Sequence, residues 1–256
     1  MIPEERFKKI LSLMEINGSI TVDELKSRLY VSEATARRDL AELSKRGLIV
    51  RFSGGALPVT VNSPAVKASR QHPAPAPISE KAIELIKKGG LIFIGASALT
   101  LSMSQLLASS HAFSALTVVT NSMKIADTLC NDIAHVHCTG GRYLPGQSIF
   151  VGRQAADYVE HFRYDQCFIS CDGLSFDGFV THWGDERLTV EQAAVNRSHE
   201  CILLCGRDEV GVTASNSILP LHKVHTIVTD APEKIPKNYP GTIISVSDNI
   251  RADADI

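Results

Sequence analysis

Residues 32–38 read Ser-Glu-Ala-Thr-Ala-Arg-Arg, a pair of hydroxyls followed by a pair of guanidinium groups. A small-residue first turn that leads into arginine suits the base edges and phosphates of a DNA major groove. Ser32 is placed to cap a helix, its oxygen accepting from a free amide of the first turn. Val31 and Ala36 can form a small hydrophobic staple across that cap. Ala36, Leu40 and Leu43 follow the i, i+4, i+7 spacing of a buried stripe. At about 100° per residue, Ala34, Arg38, Ala41 and Lys45 fall on the opposite face, flanked by Thr35 and Arg37. Alone, these residues also describe an ordinary solvated helix, because Arg-rich faces are common. The neighbouring elements separate the two readings.

Four segments further along combine small and hydrogen-bonding residues: Gly95-Ala96-Ser97, Thr120-Asn121-Ser122, Thr139-Gly140-Gly141 and Cys171-Asp172-Gly173. Each follows a strand-like apolar run. Glycines there let backbone amides approach an anion, and a helix N-terminus adds a favourable dipole. One such segment is an ordinary turn, whereas four in register along one sheet edge describe a ligand crevice. The six cysteines, Cys130, Cys138, Cys167, Cys171, Cys201 and Cys205, form no Cys-x-x-Cys pair. Cys167/Cys171 and Cys201/Cys205 share faces of apolar runs and read as reduced core thiols, with the wrong spacing for zinc or redox work. No metal, cofactor or catalytic residue is expected.

The elements that position these groups divide the chain in three. Residues 1–57 form a head. Glu4–Asn17 is a helix with the stripe Phe7, Ile10, Leu11 and Met14, started by Pro3 and stopped by Gly18. Thr21-Val22-Asp23-Glu24 is a capping box for a second helix that turns Val22, Leu25 and Leu29 inward. Tyr30-Val31 connects it to the helix of residues 32–45, which are helix-turn-helix dimensions. Gly47 ends that helix, Leu48–Phe52 is strand-like, Gly54-Gly55 turns, and Ala56-Leu57 pairs back as a wing. Residues 58–77 hold Pro58, Pro64, Pro73, Pro75 and Pro77 and read as a semi-stiff spacer.

In residues 78–256, strand-like runs at Leu91–Ile94, Leu116–Thr120, His135–Cys138, Cys167–Ser170, Cys201–Cys205, Thr226–Thr229 and Thr242–Val246 alternate with amphipathic stretches. That alternation predicts an α/β fold with a mostly parallel open sheet. Formal net charge is −2. It is uneven: residues 1–57 hold 10 Lys/Arg against 8 Asp/Glu, and the remainder 16 against 20. A weakly basic head on an acidic body is compatible with nucleic acid meeting the head alone. No apolar run reaches membrane-spanning length and the start is no signal peptide, so a cytoplasmic protein is expected.

The head resembles the winged helix-turn-helix of the DeoR family of bacterial transcriptional regulators. The resemblance is carried by Arg6-Phe7-Lys8-Lys9-Ile10, by Val22-Asp23-Glu24-Leu25, by Val31 through Leu40, and by Gly47 through Ala56, which ends Gly54-Gly55-Ala56. The family has Ile where this chain has Ala36. The resemblance implies that Ser32, Thr35, Arg37 and Arg38 contact double-stranded operator DNA, with Lys45 on the same face and Arg51 at the wing. An internal salt bridge is the alternative for Arg37. Asp39, which phosphates would repel, is expected to orient an arginine or cap a neighbour.

The body resembles the DeoR-family sensor domain, similar in fold to ribose-5-phosphate isomerase and CoA-transferase-like proteins. The match is clearest at Glu80-Lys81, Leu116 through Ser122, Gly140-Gly141, Cys171-Asp172-Gly173 and Thr226 through Asp230. It implies a phosphorylated sugar or related metabolite as effector, a carbohydrate-catabolism operon as target, and a homo-oligomer. Expected effector residues are Ser97, Thr100, Asn121, Ser122, Gly140, Gly141, Asp172 and Glu191. Two departures bear on phosphate. The family's Asp-x-Gly-Thr-Thr-Thr loop is Gly95-Ala96-Ser97-Ala98-Leu99-Thr100 here, and its Asp-x-Ser-Lys-Phe-Gly segment is Gly206-Arg207-Asp208-Glu209-Val210-Gly211. An anion at 209 opposes phosphate, and Arg207 is the candidate to supply the charge. Thr181-His182-Trp183-Gly184-Asp185-Glu186-Arg187 reads as a polar loop, either stacking on a sugar or simply exposed.

These readings rank a metabolite-sensing DNA-binding repressor first. A sugar-phosphate isomerase with an appended DNA head would use Asp172 and Glu191 as its acid/base pair, but lacks the lysine. A regulator whose body no longer senses anything is the third reading.

Overall fold

The computed structural model describes residues 3–17, 20–46, 48–52, 55–58, 76–184 and 187–246. The chain divides into two compact units, residues 1–71 and 72–256. The first is built from helix α1 (Pro3–Asn17), strand β1 (Ile20–Thr21), α2 (Val22–Leu29), α3 (Glu33–Lys45), β2 (Ile49–Phe52) and β3 (Gly55–Pro58). Its strands pair antiparallel in the order β1-β3-β2. β1 has only two residues, too short to announce itself by alternation, and is held by Ile20 opposite Ala56. Phe7, Ile10, Met14, Leu25, Ala36, Leu40, Leu43 and Ile49 close one core. Ala36 is fully buried there, so the smaller residue is accommodated by the packing around it. The two glycines expected to stop α1 and α3, Gly18 and Gly47, lie outside the described residues, as does most of the Pro-rich spacer. The spacer is shorter than the prolines suggest: Pro58 still belongs to β3, and helix α4 (Ala76–Glu84) already covers Ala76 and Pro77.

The second unit continues with β4 (Leu91–Ile94), α5 (Ala98–Ala108), β5 (Thr117–Thr120), α6 (Met123–Leu129), β6 (His135–Cys138), β7 (Arg142–Leu144), β8 (Ile149–Val151), α7 (Arg153–Glu160), β9 (Tyr164–Ser170), β10 (Gly173–Leu174), β11 (Phe179–His182), α8 (Leu188–Asn196), β12 (Ser198–Cys205), β13 (Asn216–Pro220), β14 (Thr226–Thr229) and β15 (Thr242–Ser245). Seven strands form one sheet, ordered β15-β14-β12-β9-β4-β5-β6, and every neighbouring pair is parallel. Parallel strands buried on both faces need apolar residues at every position, and side-chain alternation then sorts them. Ile92, Ile94, Phe168, Ile202 and Leu204 point to a layer made by α4, α5 and α6. Phe93, Cys167, Ile169, Cys201 and Leu203 point to the other, against α7, α8 and the β10-β11-β13 sheet.

β4 is the first strand of this sheet. The next two lie on one side of it and the later four on the other, so strand order reverses between β4 and β9. Ligands in open α/β sheets sit at the carboxyl ends of strands at such a reversal. A β7-β8 hairpin closes over this edge, with Ile149 and Val151 packed on Ala96 and Ser122 bridged to Ile149.

Candidate DNA-contact face and effector crevice

In the first unit, α3 is fixed at its start by Ser32, whose Oγ accepts from the Thr35 amide at 3.1 Å and shares a 2.8 Å hydrogen bond with the Thr35 hydroxyl. The Thr21–Glu24 capping box sets α2: the Thr21 hydroxyl accepts from the Glu24 amide, and the Thr21 amide donates to Glu24 Oε2 at 2.8 Å. Arg6 on α1 ties α3 from below, donating through Nε and Nη2 to Asp39 at 2.6 and 2.9 Å. Asp39 is therefore an internal anchor facing away from the exposed side. That side presents Ser32, Glu33, Ala34, Arg37, Arg38 and Ala41. Arg37 carries an ion pair to Glu33, Nη2 to Oε1 at 2.7 Å, with both side chains about half exposed. Arg38 has no ion-pair partner among the described residues. The side chains of Lys45 and Arg51 lie outside those described.

In the second unit, the expected residues divide by location. Ser97 caps α5, accepting from the Thr100 amide at 3.0 Å. The Thr100 hydroxyl is spent inside this loop, donating to the Gly95 carbonyl at 2.6 Å. Ser122 caps α6 through the Ile125 amide. Asn121 is fully buried; its amide donates to the Phe150 carbonyl at 3.3 Å, and its Oδ1 has no hydrogen-bond partner among the described residues. Gly140 and Gly141 hold φ of +64° and +104°, and a β-carbon at Gly141 would meet the Val151 carbonyl at 3.0 Å, so the β6-β7 turn requires glycine there. Arg207 donates to Glu233 at 2.7 Å and to the Asp230 carbonyl at 2.9 Å, linking the ends of β12 and β14. The Glu209 carboxylate folds over Gly206.

The centre of the edge is a group that the sequence does not reveal. His182 is wholly buried between two carboxylates: Nδ1 is 2.9 Å from Asp172 Oδ2 and Nε2 is 2.9 Å from Glu191 Oε2. Asp172 Oδ2 also accepts from the Trp183 amide at 3.2 Å and from Arg187 Nη2 at 3.2 Å. Arg187 Nη1 donates to the Ala96 carbonyl at 2.8 Å. One guanidinium therefore joins the carboxyl ends of β4 and β9 across the strand-order reversal. Burial pushes the Asp172 carboxyl up, but the His182 hydrogen bond, the Arg187 charge and the Trp183 amide outweigh it and hold the group well below the usual carboxylate range. Burial and Arg187 oppose a proton on His182, whereas Glu191 and Asp172 favour it more strongly, so its pKa is raised. The four side chains form a charge-balanced set when His182 is protonated. Glu191 reaches the edge only through His182, because its own carboxylate is buried. The start of the segment expected as a polar loop is not free: Thr181 and His182 are buried β11 residues, and the Trp183 Nε1 is buried without a partner among the described residues.

Family models match both units: a DeoR-like helix-turn-helix domain over residues 6–61 and a DeoR C terminal sensor domain over residues 71–231. The chain belongs to the DeoR family of transcriptional regulators. It is 33% identical over 240 residues to the Escherichia coli HTH-type transcriptional regulator YgbI, covering 90% of this chain and 91% of that one. It is 30% identical over 241 residues to the lactose phosphotransferase system repressor of Streptococcus mutans, covering 91% and 94%. Among solved structures, the ribose 5-phosphate isomerase A of Methanocaldococcus jannaschii aligns with a TM-score of 0.40 at 12% identity, over 52% of each chain. Close relatives of this DeoR-family chain are named regulators, not enzymes. Among the described residues, no helix is long and apolar enough to cross a membrane.

Arg187, from a segment that gave no sequence signal beyond one Trp and mixed charge, brings a guanidinium to the reversal point. Asp172 and Glu191 were expected at the site, and a His lying ten residues after the one and nine before the other was the hint of what joins them.

Proposed function

We propose that this DeoR-family regulator is a repressor that binds operator DNA through α3 and releases it in response to an anionic, hydroxylated metabolite of the sugar-phosphate or sugar-acid type. On the DNA side, Ser32, Thr35, Arg37 and Arg38 meet the major groove, with Lys45 and Arg51 adding phosphate contacts; two copies would present two such helices to half-sites. A Ser/Thr-capped first turn with arginine on the exposed face supports that assignment.

On the ligand side, the observation that carries the proposal is Arg187 spanning the ends of β4 and β9. Its guanidinium offers five N–H donors and spends only part of them on Ala96 and Asp172. The capped N-terminus of α5 at Ser97 lies beside the same Ala96 carbonyl, so the dipole of an eleven-residue helix and a fixed cation converge on one spot. The orphaned Oδ1 of buried Asn121 supplies an acceptor suited to a hydroxyl. Asp172 orients Arg187, and Glu191 orients His182. Gly140, Gly141 and Ser122 shape the neighbouring turn, and Arg207 braces the far end of the edge. A relative named for the lactose phosphotransferase system supports a carbohydrate-derived ligand.

The test is thermal: a panel of sugar phosphates, sugar acids and polyols is screened for a rise in melting temperature, and active compounds are added to a gel shift with DNA. A compound that stabilises the wild type and loosens its DNA complex supports the proposal. A broad panel with no shift, or turnover of a sugar phosphate that is lost in Glu191→Gln, overturns it.

A further inference from the structure

Tyr30 closes α2, and its neighbours Leu29 and Val31 both pack on the core of the head. Tyr30 itself is 93% exposed and takes the left-handed backbone conformation, φ +53° and ψ +45°. Residues with a β-carbon rarely adopt that region, and glycine or asparagine would hold the same turn with less strain. A whole aromatic side chain left in water contributes nothing to the fold by burial. The chain thus keeps a strained, solvent-facing tyrosine at one place, two residues before the Ser32 cap of α3, where the exposed run Ser32, Glu33, Ala34 begins. The nearest acid in sequence, Glu33, is already bound to Arg37. A phenol is a rigid donor that orders few torsions on contact, and hydroxyl donors beside a recognition helix go mainly to phosphate oxygens.

We propose that the Tyr30 hydroxyl donates to a DNA phosphate at the rim of the groove that α3 enters, a positioning contact that sets the approach of the helix and reads no base. This rests on the DNA-binding reading of α3.

The test uses the full chain, a duplex selected by the wild type from a random pool, and an unselected duplex. Tyr30→Phe removes only the hydroxyl; it is expected to weaken both duplexes by the same factor, about tenfold. Because a neutral donor releases no counterion, the dependence of affinity on salt should stay at the wild-type slope, whereas Arg38→Ala flattens it. Tyr30→Asn relieves the backbone and is expected to raise the melting temperature while losing at least as much affinity. Wild-type affinity in Tyr30→Phe overturns the proposal, as does a loss confined to the selected duplex, which would mean base reading. If the wild type binds neither duplex, the DNA-binding reading itself has failed. If Arg38→Ala weakens binding and Tyr30→Phe does not, only the Tyr30 contact has.

Discussion

Arg187 and Asp172 meet across the strand-order reversal, Nη2 to Oδ2 at 3.2 Å, while the other end of the same guanidinium holds the Ala96 carbonyl at 2.8 Å. The side chain proposed to hold the ligand therefore also ties the ends of β4 and β9 together. In a DeoR-family sensor this is a place where a small anion can bias a larger arrangement, since an effector acts only through contacts that differ between two states.

Arg187→Met keeps an unbranched apolar stem and removes the guanidinium with its charge. Asp172 retains His182 and the Trp183 amide, so the unit should still fold, at a lower melting temperature because a buried carboxylate loses one charged partner. A charge-assisted hydrogen bond is worth roughly 1.5–3 kcal/mol, so affinity for an anionic effector should fall on the order of tenfold to a hundredfold. Thermal shift titrations of wild type and variant check this, and an undiminished shift in the variant would remove Arg187 from the site.

The buried His182 gives the sensor unit a pH signature. Its pKa is raised in the folded state by Glu191 and Asp172, against burial and Arg187. The stabilisation is fully present below the unfolded value of about 6.5 and is lost as pH rises through the raised folded value. Asp172 works in the opposite direction: its folded pKa is depressed, so its contribution holds above the unfolded value of about 3.9 and fades as pH falls through the folded one. Between pH 6 and 9 the wild-type melting temperature should decline, and His182→Gln should flatten that decline. Glu191→Gln should move it to lower pH. Melting curves across that range decide it; a wild-type curve as flat as the variant's would contradict the assignment.

In the head, Asp39 is clamped by Arg6 through two hydrogen bonds of 2.6 and 2.9 Å, joining α1 to the back of α3. Asp39→Ala removes a largely buried carboxylate that no DNA phosphate would tolerate in contact, so its effect should be on folding. A loss of about 1–3 kcal/mol is expected for the unfolding of the head, read from urea denaturation. At a temperature where the head is still folded, DNA affinity should stay near the wild-type value.

What could be read from the sequence was local. Ser32, Thr21 with Glu24, and the stripe Ala36, Leu40, Leu43 lie within one or two turns of the groups they serve, so spacing alone carries them. The inner strands of the parallel sheet were legible because burial on both faces demands apolar runs such as Leu91–Ile94. The short antiparallel strands β7, β8, β10, β11 and β13 were not, since two to five residues set no period and their pairing depends on distant partners. His182 and Arg187 were read as loop residues for the same reason. Their environment is made by Asp172, Glu191 and Ala96, which meet only when β4, β9, β11 and α8 are assembled. Arg207 looked like the substitute cation from its place beside Glu209, yet Glu233 and the Asp230 carbonyl claim it.

The two arginines of α3 should not contribute equally to DNA binding. Arg37 is held by Glu33 four residues earlier, an exposed pair of modest strength, and must give up or share that partner to meet a phosphate or a base. Arg38 has no such competitor among the described residues. Arg38→Ala should therefore cost roughly 1–3 kcal/mol of binding if it reads a base, and Arg37→Ala less. Glu33→Gln should raise affinity, because it frees Arg37 and removes a negative charge from the approaching face. Gel shifts of the three variants on one duplex at fixed salt give the comparison. Equal losses for the two arginines would mean that the Glu33 pair dissolves without cost on DNA, and unchanged affinity in both would take α3 out of the groove.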